Sequence, residues 1–478
     1  MSNSGGRRAA TAAGSRRPGV GAVVSFVLLA VAVLVVVLVG PGRPVETGTE
    51  ATRPAGVTVD DRVVACPRAP APPRVGSRVV VGSAPLDGLG GGGSLRQGPL
   101  GSEASGTTEP DRGLLTDTRT GDDDRPAVVV DAEGEIAAGL FAHQVDADAR
   151  ALAVAECAPP AASWWFAGAG ATVDHSSELV MSNVDPGPAV VDVRVFGPNG
   201  EVDAIGTRGI TIAPAEQTTI AMADVAPQSD ELTVSVEASR GRVVAAVSDS
   251  YAARPSAAGG AEWLPAQADA RRVVELAPLP SLAGARTLLV TNPSEQSEAL
   301  VELELVGENG TFAPAETSEI RVPPGSVVAT DISEVIAREA VAVRLRSPLP
   351  VVATVRSTTA TDATYAGGVR RLPGPAAAPL VDDADSRVLL SSGGAAARAT
   401  VTTYTAEGRE VESTEVEVPP AATTAYQPNQ RAAYLVVTPE EGSVFGGVSV
   451  VGEAGISQVP LRSLAIRNPQ PVVRPVIR

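Results

Sequence analysis

Apolar and polar positions alternate along this 478-residue chain in a pattern that returns at long intervals. The stretch "ELVMSNVDPGPAVVDVRVFGPNG" from Glu178 holds an apolar run, a polar turn, an alternating run and a Gly turn. The same order returns in "TLLVTNPSEQSEALVELELVGENG" from Thr287 and in "RVLLSSGGAAARATVTTYTAEG" from Arg387. Val191, Val193 and Val195 alternate with Asp192 and Arg194, and Val301, Leu303 and Leu305 alternate with Glu302 and Glu304. Period two with one wet face predicts antiparallel strands. Downstream, "GITIAPAEQTTIAM" from Gly209, "EIRVPPGSVVATDI" from Glu319 and "EVEVPPAATTAYQP" from Glu415 each run a strand through a Pro turn into another strand. Each copy closes on an apolar stretch, from Arg242, Pro350 and Ser443. Leu179, Leu288 and Leu389 stand 109 and 101 residues apart. That is the size of an immunoglobulin-like sandwich and too long for one propeller blade of roughly 40–50 residues.

A worn fourth copy precedes these three. "AVVVDAEGEIAAGLFAHQ" from Ala127 resembles "LTVSVEASRGRVVAAVSDSY" from Leu232, and "DRVVACP" and "SRVVVGSAP" supply its early strands. Residues 86–125, rich in Gly, Ser and Asp, hold too few apolar side chains to order themselves and are expected as a disordered insertion. The expected organisation is a degenerate β unit over 57–160, sandwich units over 161–275, 276–378 and 379–466, and a tail over 467–478. A short helix is hinted only in "DISEVIAREA" from Asp331.

The N-terminal residues 1–19 carry Arg7, Arg8, Arg16 and Arg17 and no acid. Residues 20–40 then run without a charge. Twenty residues of helix span about 30 Å, the hydrocarbon thickness of a bilayer. The arginines place the N-terminus in the cytoplasm. The expected fold class is therefore all-β, tandem immunoglobulin-like units on an N-terminal transmembrane signal anchor. A linker over 41–56 leads to an extracytoplasmic body in a cell envelope. The chain has no lysine and a net charge of −17. Beyond the cytoplasmic tail, 34 arginines face 55 acids. Such a body is a poor partner for nucleic acid, which needs a basic face.

Cys66 and Cys157 both lie beyond the anchor, and two cysteines in an oxidising compartment predict one disulfide. Cys157 opens "CAPPAASWWFAGAG", which holds two of the three tryptophans. Trp164, Trp165 and Phe166 are expected to plug the joint between two units, with an exposed sugar-stacking platform as the alternative. Two histidines, His143 and His175, are present. Asp174, Ser176 and Ser177 flank His175, but neighbours on one strand do not assemble a catalytic triad, so a partly exposed turn histidine is expected. Metal ligands are too few once the cysteines pair. "GLGGGG" at Gly88 reads as linker, and Asp122–Asp124 as a solvated acidic run. No cofactor, metal or catalytic residue is expected.

The Arg-rich anchor, "VVACP", "CAPPAASWWFAGAG" and "LVMSNVDPGPAVVDVRVFGPNG" together resemble an actinobacterial family of membrane-anchored extracytoplasmic proteins, domain-of-unknown-function family 5719. The resemblance covers roughly Val57 to the C-terminus. It implies no activity, catalytic residue or cofactor. It does imply an actinobacterial-like envelope with glycan-assembly machinery nearby. The expected function is a non-enzymatic envelope scaffold with a protein partner. The alternative is a glycan-binding module using Trp164, Trp165 or Trp263.

Overall fold

Alternation becomes strand almost everywhere in the computed structural model. It describes residues 56–468 apart from 68–76, 109–110, 120–125, 148–151, 253–259, 282–283, 315–316, 335, 337–338, 361 and 454. The expected anchor and most of the expected tail lie outside the described residues. Among those described, no helix is long and apolar enough to cross a membrane. Helix there is limited to Glu135–Ala137 and Met222–Val225.

Four units share one topology. In the second unit the strands in chain order are Ser163–Ala169, His175–Ser182, Ala189–Gly197, a broken fourth (Gly200–Val202 and Ile210–Ile212), Gln217–Ala221, Leu232–Arg240, Val244–Tyr251 and Gly260–Trp263. One sheet orders them first–sixth–third–fourth, the other fifth–second–seventh–eighth. Both orders recur in the units that open with Asp61–Cys66, Arg271–Leu276 and Ala376–Pro379. Val191, Val193 and Val195 face inward with Leu179 and Met181 from the opposing sheet, while Asp192 and Arg194 are half-buried.

This order departs from the expected immunoglobulin arrangement. There the first strand lies beside the second and the seventh beside the sixth. Here the first lies beside the sixth and the seventh beside the second, so these two strands have traded sheets. The third unit shows the cause. Its sixth and seventh strands are one extended run, Ala342–Thr358, which pairs with Ala299–Gly307 early and with Ala285–Thr291 late. A chain that stays extended passes into the opposite sheet instead of folding back on itself.

The first unit is not degenerate: it holds all eight strands. Three of them, Ser94–Pro99, Ser105–Thr108 and Gly113–Arg119, lie inside the stretch expected to be a disordered insertion. Local composition misleads here because order comes from elsewhere in the chain. Ser94–Pro99 pairs with Val128–Glu133 and buries Leu95. The Arg112 guanidinium donates to the carbonyls of Gly90 (2.8 Å), Glu135 (2.7 Å) and Ala138 (2.8 Å). The expected boundaries at 275/276 and 378/379 cut through Arg271–Leu276 and Ala376–Pro379, which open the following units.

The units close into a ring. The turn after each third strand meets the segment entering the fifth strand of the next unit. Gly101 lies against the Ala215 carbonyl at the first joint, where Ala127 N also donates to Gln217 Oε1 (3.1 Å). Gly325 lies against Glu201 at the second. Thr423 Oγ1 donates to the Val306 carbonyl (2.6 Å) at the third. Leu114 N donates to the Ala406 carbonyl (2.8 Å), which joins the fourth unit back to the first. Val57–Thr58 pairs with Arg467–Asn468 across the same seam.

Large side chains interlock the joints. Tyr365 of the third unit is buried in the second unit's core. Gly168 makes room for it: a Cβ there would lie 2.8 Å from the Tyr365 ring. Phe445 of the fourth unit enters the third unit's core. Val80, Val145, Leu152 and Val154 of the first unit pack into the core of the fourth. Trp263 of the second unit packs on Ala153 and Ala155 of the first.

The eighth strands, Leu152–Glu156, Gly260–Trp263, Ala363–Val369 and Ile456–Pro460, meet at the centre. Glu262 is buried there. Its Oε2 accepts from Thr364 Oγ1 (3.0 Å), its Oε1 from Trp263 N (2.9 Å), and Ser457 also bonds to it. Ser457 Oγ accepts from Val154 N (3.0 Å), so all four units share one hydrogen-bonded knot. Burial pushes the Glu262 carboxyl well above its ordinary range, against the hydrogen bonds it accepts.

The disulfide forms as expected. Cys66 and Cys157 are bonded across 91 residues of sequence, beside the backbone pairing of Ala65 with Ala158. For a loop of this length the chain-entropy model gives about 4–5 kcal/mol. A Cys66→Ala, Cys157→Ala double variant is expected to lose stability on that order in urea unfolding; an unchanged midpoint would show that the ring seam already supplies the constraint.

Candidate functional site

The chain leaves each eighth strand along an equivalent path. The segment that follows returns to the first strand of its own unit. Ala65 pairs with Ala158, Trp165 with Gln267, Glu275 with Val369, and Ala376 with Ser463. These four segments therefore converge, and they border one cleft of about 570 Å³. A cleft of a few hundred cubic ångströms is of ligand-site size.

Arginines dominate its polar lining: Arg271, Arg370, Arg371 and Arg462. Arg271 donates through Nε (2.9 Å) and Nη2 (2.8 Å) to Asp269 Oδ1, and Arg370 Nη2 reaches the same oxygen at 3.0 Å. One carboxylate thus serves two guanidinium groups. Arg371 forks onto Glu275 at 3.0 and 2.9 Å, and that carboxylate also meets Arg344. Arg344 in turn bonds Glu304 (2.9 Å), so this set is balanced. At the floor, Arg462 Nη1 lies 3.2 Å from Glu156, and its Nη2 donates to the Ala266 carbonyl.

Two small chambers share Arg462 with the cleft, and both are also bordered by Glu156. One, of about 50 Å³, is bordered by Gln458 and Trp263. The other, of about 30 Å³, is bordered by His143, Arg62 and the disulfide's Cys157. Gln458 Oε1, His143 Nδ1 and Arg62 Nε face no hydrogen-bond partner. Burial first, and the charge of Arg462 second, pull His143 down to about 3, so its ring is neutral. Burial likewise lowers Arg62 against the pull of Glu156.

The second histidine sits elsewhere and differently from expectation. His175 is 1 % exposed, not a surface turn residue. Its Nδ1 lies 2.7 Å from Asp230 and its Nε2 3.0 Å from Asp249. Burial works against its charge, but Asp249, with the hydrogen bonds the ring donates to both acids, outweighs that and holds the ring up to about 9. Asp230 is lowered chiefly by its bond to His175. Ser177 Oγ donates to Asp249 Oδ1 (2.5 Å), and Tyr365 OH donates to Asp249 Oδ2 (2.5 Å). A protonated ring between two carboxylates has no lone pair for a hydroxyl, and Ser177 bonds to acid instead of base. This is a joint between the second and third units rather than a triad.

The tryptophans are equally internal. Trp164 is 5 % exposed, stacks on Phe166 and donates Nε1 to the Val243 carbonyl (3.0 Å). Trp165 is half-buried and stacks on Phe196 at 5.6 Å, beside Leu289 and Val327 of the third unit. Phe166 is fully buried. Trp263 is 6 % exposed and donates Nε1 to Asp146 Oδ2 (2.8 Å). Trp164 borders the cleft, but both it and Trp263 are too buried to form an open stacking platform. Asp122–Asp124 lie outside the described residues. Sequence reasoning missed the arginines of the cleft. Their available signal was Arg at three successive unit ends, in "QADARR", "GGVRRLPG" and "PLRS".

A family model described as a family of unknown function, DUF5719, matches residues 116–429. No curated protein and no solved structure matches the chain.

The buried ionisable groups set a pH profile. Stability from His175 is complete below about pH 6.5, its ordinary value, and is lost as pH rises through about 9. Glu262, raised on folding, costs stability as pH climbs above its ordinary range. His143 acts oppositely, its contribution present above about pH 6.5 and lost as pH falls towards 3. Urea midpoints are therefore expected to be nearly level between about pH 4.5 and 6.5, where Glu262 and His143 offset each other, and to fall towards pH 9, at roughly 1 kcal/mol per pH unit for each titrating group. His175→Gln should flatten the alkaline limb; a wild-type limb that is flat or rising between pH 6.5 and 9 would contradict this.

Proposed function

The chain belongs to the DUF5719 family of unknown function, and we propose that it is a non-enzymatic, membrane-tethered scaffold whose ring engages a protein partner outside the cytoplasm. One observation carries this reading. The ring closes on itself, with Val57–Thr58 paired to Arg467–Asn468, so the body is a single interlocked platform rather than a flexible string. The apolar, uncharged run at 20–40 supplies the tether, and the acidic, lysine-free body suits a partner other than nucleic acid. The non-enzymatic part rests on how the reactive groups are occupied. His175 is held between Asp230 and Asp249, Ser177 is bonded to a carboxylate, and the cysteines are joined. The glycan-binding alternative draws no support from Trp164 or Trp263, both buried.

Val173 and Ile205 are fully exposed apolar side chains on the second unit, and Val411 is exposed on the fourth. Photoreactive residues placed at these positions in the full chain, in its own cells, are expected to give a discrete adduct with one envelope protein from at least one site. An external protease should cut the body while sparing the N-terminal tail. No adduct from any site would contradict the scaffold. So would hydrolysis of wall fragments that disappears in His175→Gln.

A further inference from the structure

We propose that the axial cleft binds a small hydroxylated acid, a ligand of sugar size carrying a carboxylate or phosphate, held by Arg271 and Arg370 at the mouth and Arg462 at the floor. The inference stands on the cleft alone and goes beyond the scaffold reading; its failure would leave that reading untouched.

Charge is the first argument. The chain as a whole carries −17, yet around this cleft guanidinium outnumbers carboxylate. Asp269 Oδ1 takes bonds from both Arg271 and Arg370, which leaves one positive charge unmatched at the mouth. Arg370 uses one nitrogen on Asp269 and is 66 % exposed, so the rest of its fork is open to solvent. Behind the floor, in the chamber that Arg462 borders, Glu156 faces both Arg462 and Arg62, a second unmatched charge. Guanidinium forks match the paired oxygens of carboxylate and phosphate. A cation would meet repulsion here.

The chambers supply the second, independent argument. Gln458 is 4 % exposed; its Nε2 is tied to the Pro278 carbonyl (2.7 Å), while Oε1 has no partner and borders the chamber beside Arg462. His143 Nδ1, 3 % exposed as a residue, borders the other chamber without a partner. Buried polar atoms without partners cost roughly 1–3 kcal/mol each. Neither residue lines the cleft itself, but both chambers share Arg462 with it, so a ligand anchored on Arg462 by its anionic group meets polar surroundings there that suit hydroxyl groups and not an apolar body. The volume of about 570 Å³ takes a molecule of sugar size with some water.

Calorimetric titration of the full chain in detergent, at low salt, tests this with glucuronate, glucose 6-phosphate, inorganic phosphate and neutral glucose as probes. At least one acidic sugar should bind, glucose should not, and added salt should weaken binding. Binding by glucuronate alone would identify the carboxylate source; binding by glucose 6-phosphate alone, the phosphate source. The Arg271→Gln, Arg370→Gln double variant should bind at least about tenfold more weakly. Asp269→Asn, which removes the competing acid, should bind more tightly, and this second variant keeps the test decisive if the first fails to fold. The proposal is overturned if neither acidic sugar binds up to about 10 mM, if glucose binds as well as the acids, or if Asp269→Asn leaves affinity unchanged.

Discussion

A single buried acid holds the centre of this protein. Glu262 stands where the eighth strands of four sandwiches meet, and it bonds to Thr364, Ser457 and the backbone of Trp263. Burial penalises its charged form, and the hydrogen bonds it accepts offset part of that cost. Its two oxygens gather donors from its own unit and two others, and Ser457 passes the network to the first unit through Val154 N. Asp362 adds a link beside it, accepting from Ile456 N at 2.8 Å. A knot with members from every unit cannot be completed until all four are in place. This makes closure of the ring a condition of satisfying its centre.

The same logic explains where the scarce aromatics went. Only 3 % of the chain is aromatic, so each unit of about a hundred residues has a thin core of Val, Ala and Leu. Trp263, Tyr365 and Phe445 lie at joints and fill a neighbouring unit, where one large side chain seals two cores at once. The stretch from Cys157 to Gly170 belongs to this scheme. The disulfide fixes its start, Trp164 and Phe166 join the second core, and Trp165 reaches the third unit. Converging joints then leave the arginine-lined cleft as a by-product of ring geometry, and the charges around it give that space a chemical preference.

What was legible in the sequence was local. Period-two alternation marked the strands from Val191 to Val195 and from Val301 to Leu305, because one face of each meets the core. Two cysteines, and the expectation of an oxidising compartment, pointed to the Cys66–Cys157 bond. What stayed hidden depends on residues far apart in the chain. His175 draws its acids from positions 230 and 249, so its neighbours Asp174 and Ser176 said nothing of its state. Residues 94–119 looked disordered because their order comes from Val128–Glu133 and from three carbonyls on Arg112. Strand spacing gave the length of a unit but could not say that the first and seventh strands exchange sheets, since that turns on whether the chain bends or stays extended near Pro348 and Pro350.

Cooperativity reports ring closure most directly. Differential scanning calorimetry of the full chain, heated slowly at pH 6.5, resolves whether four sandwiches melt together or separately. A ring tied by Glu262 and by the seam between Leu114 and Ala406 predicts one transition, with calorimetric and van't Hoff enthalpies that agree. Several resolved transitions, with a calorimetric enthalpy well above the van't Hoff value, would mean the units fold as independent beads and would contradict the closed ring.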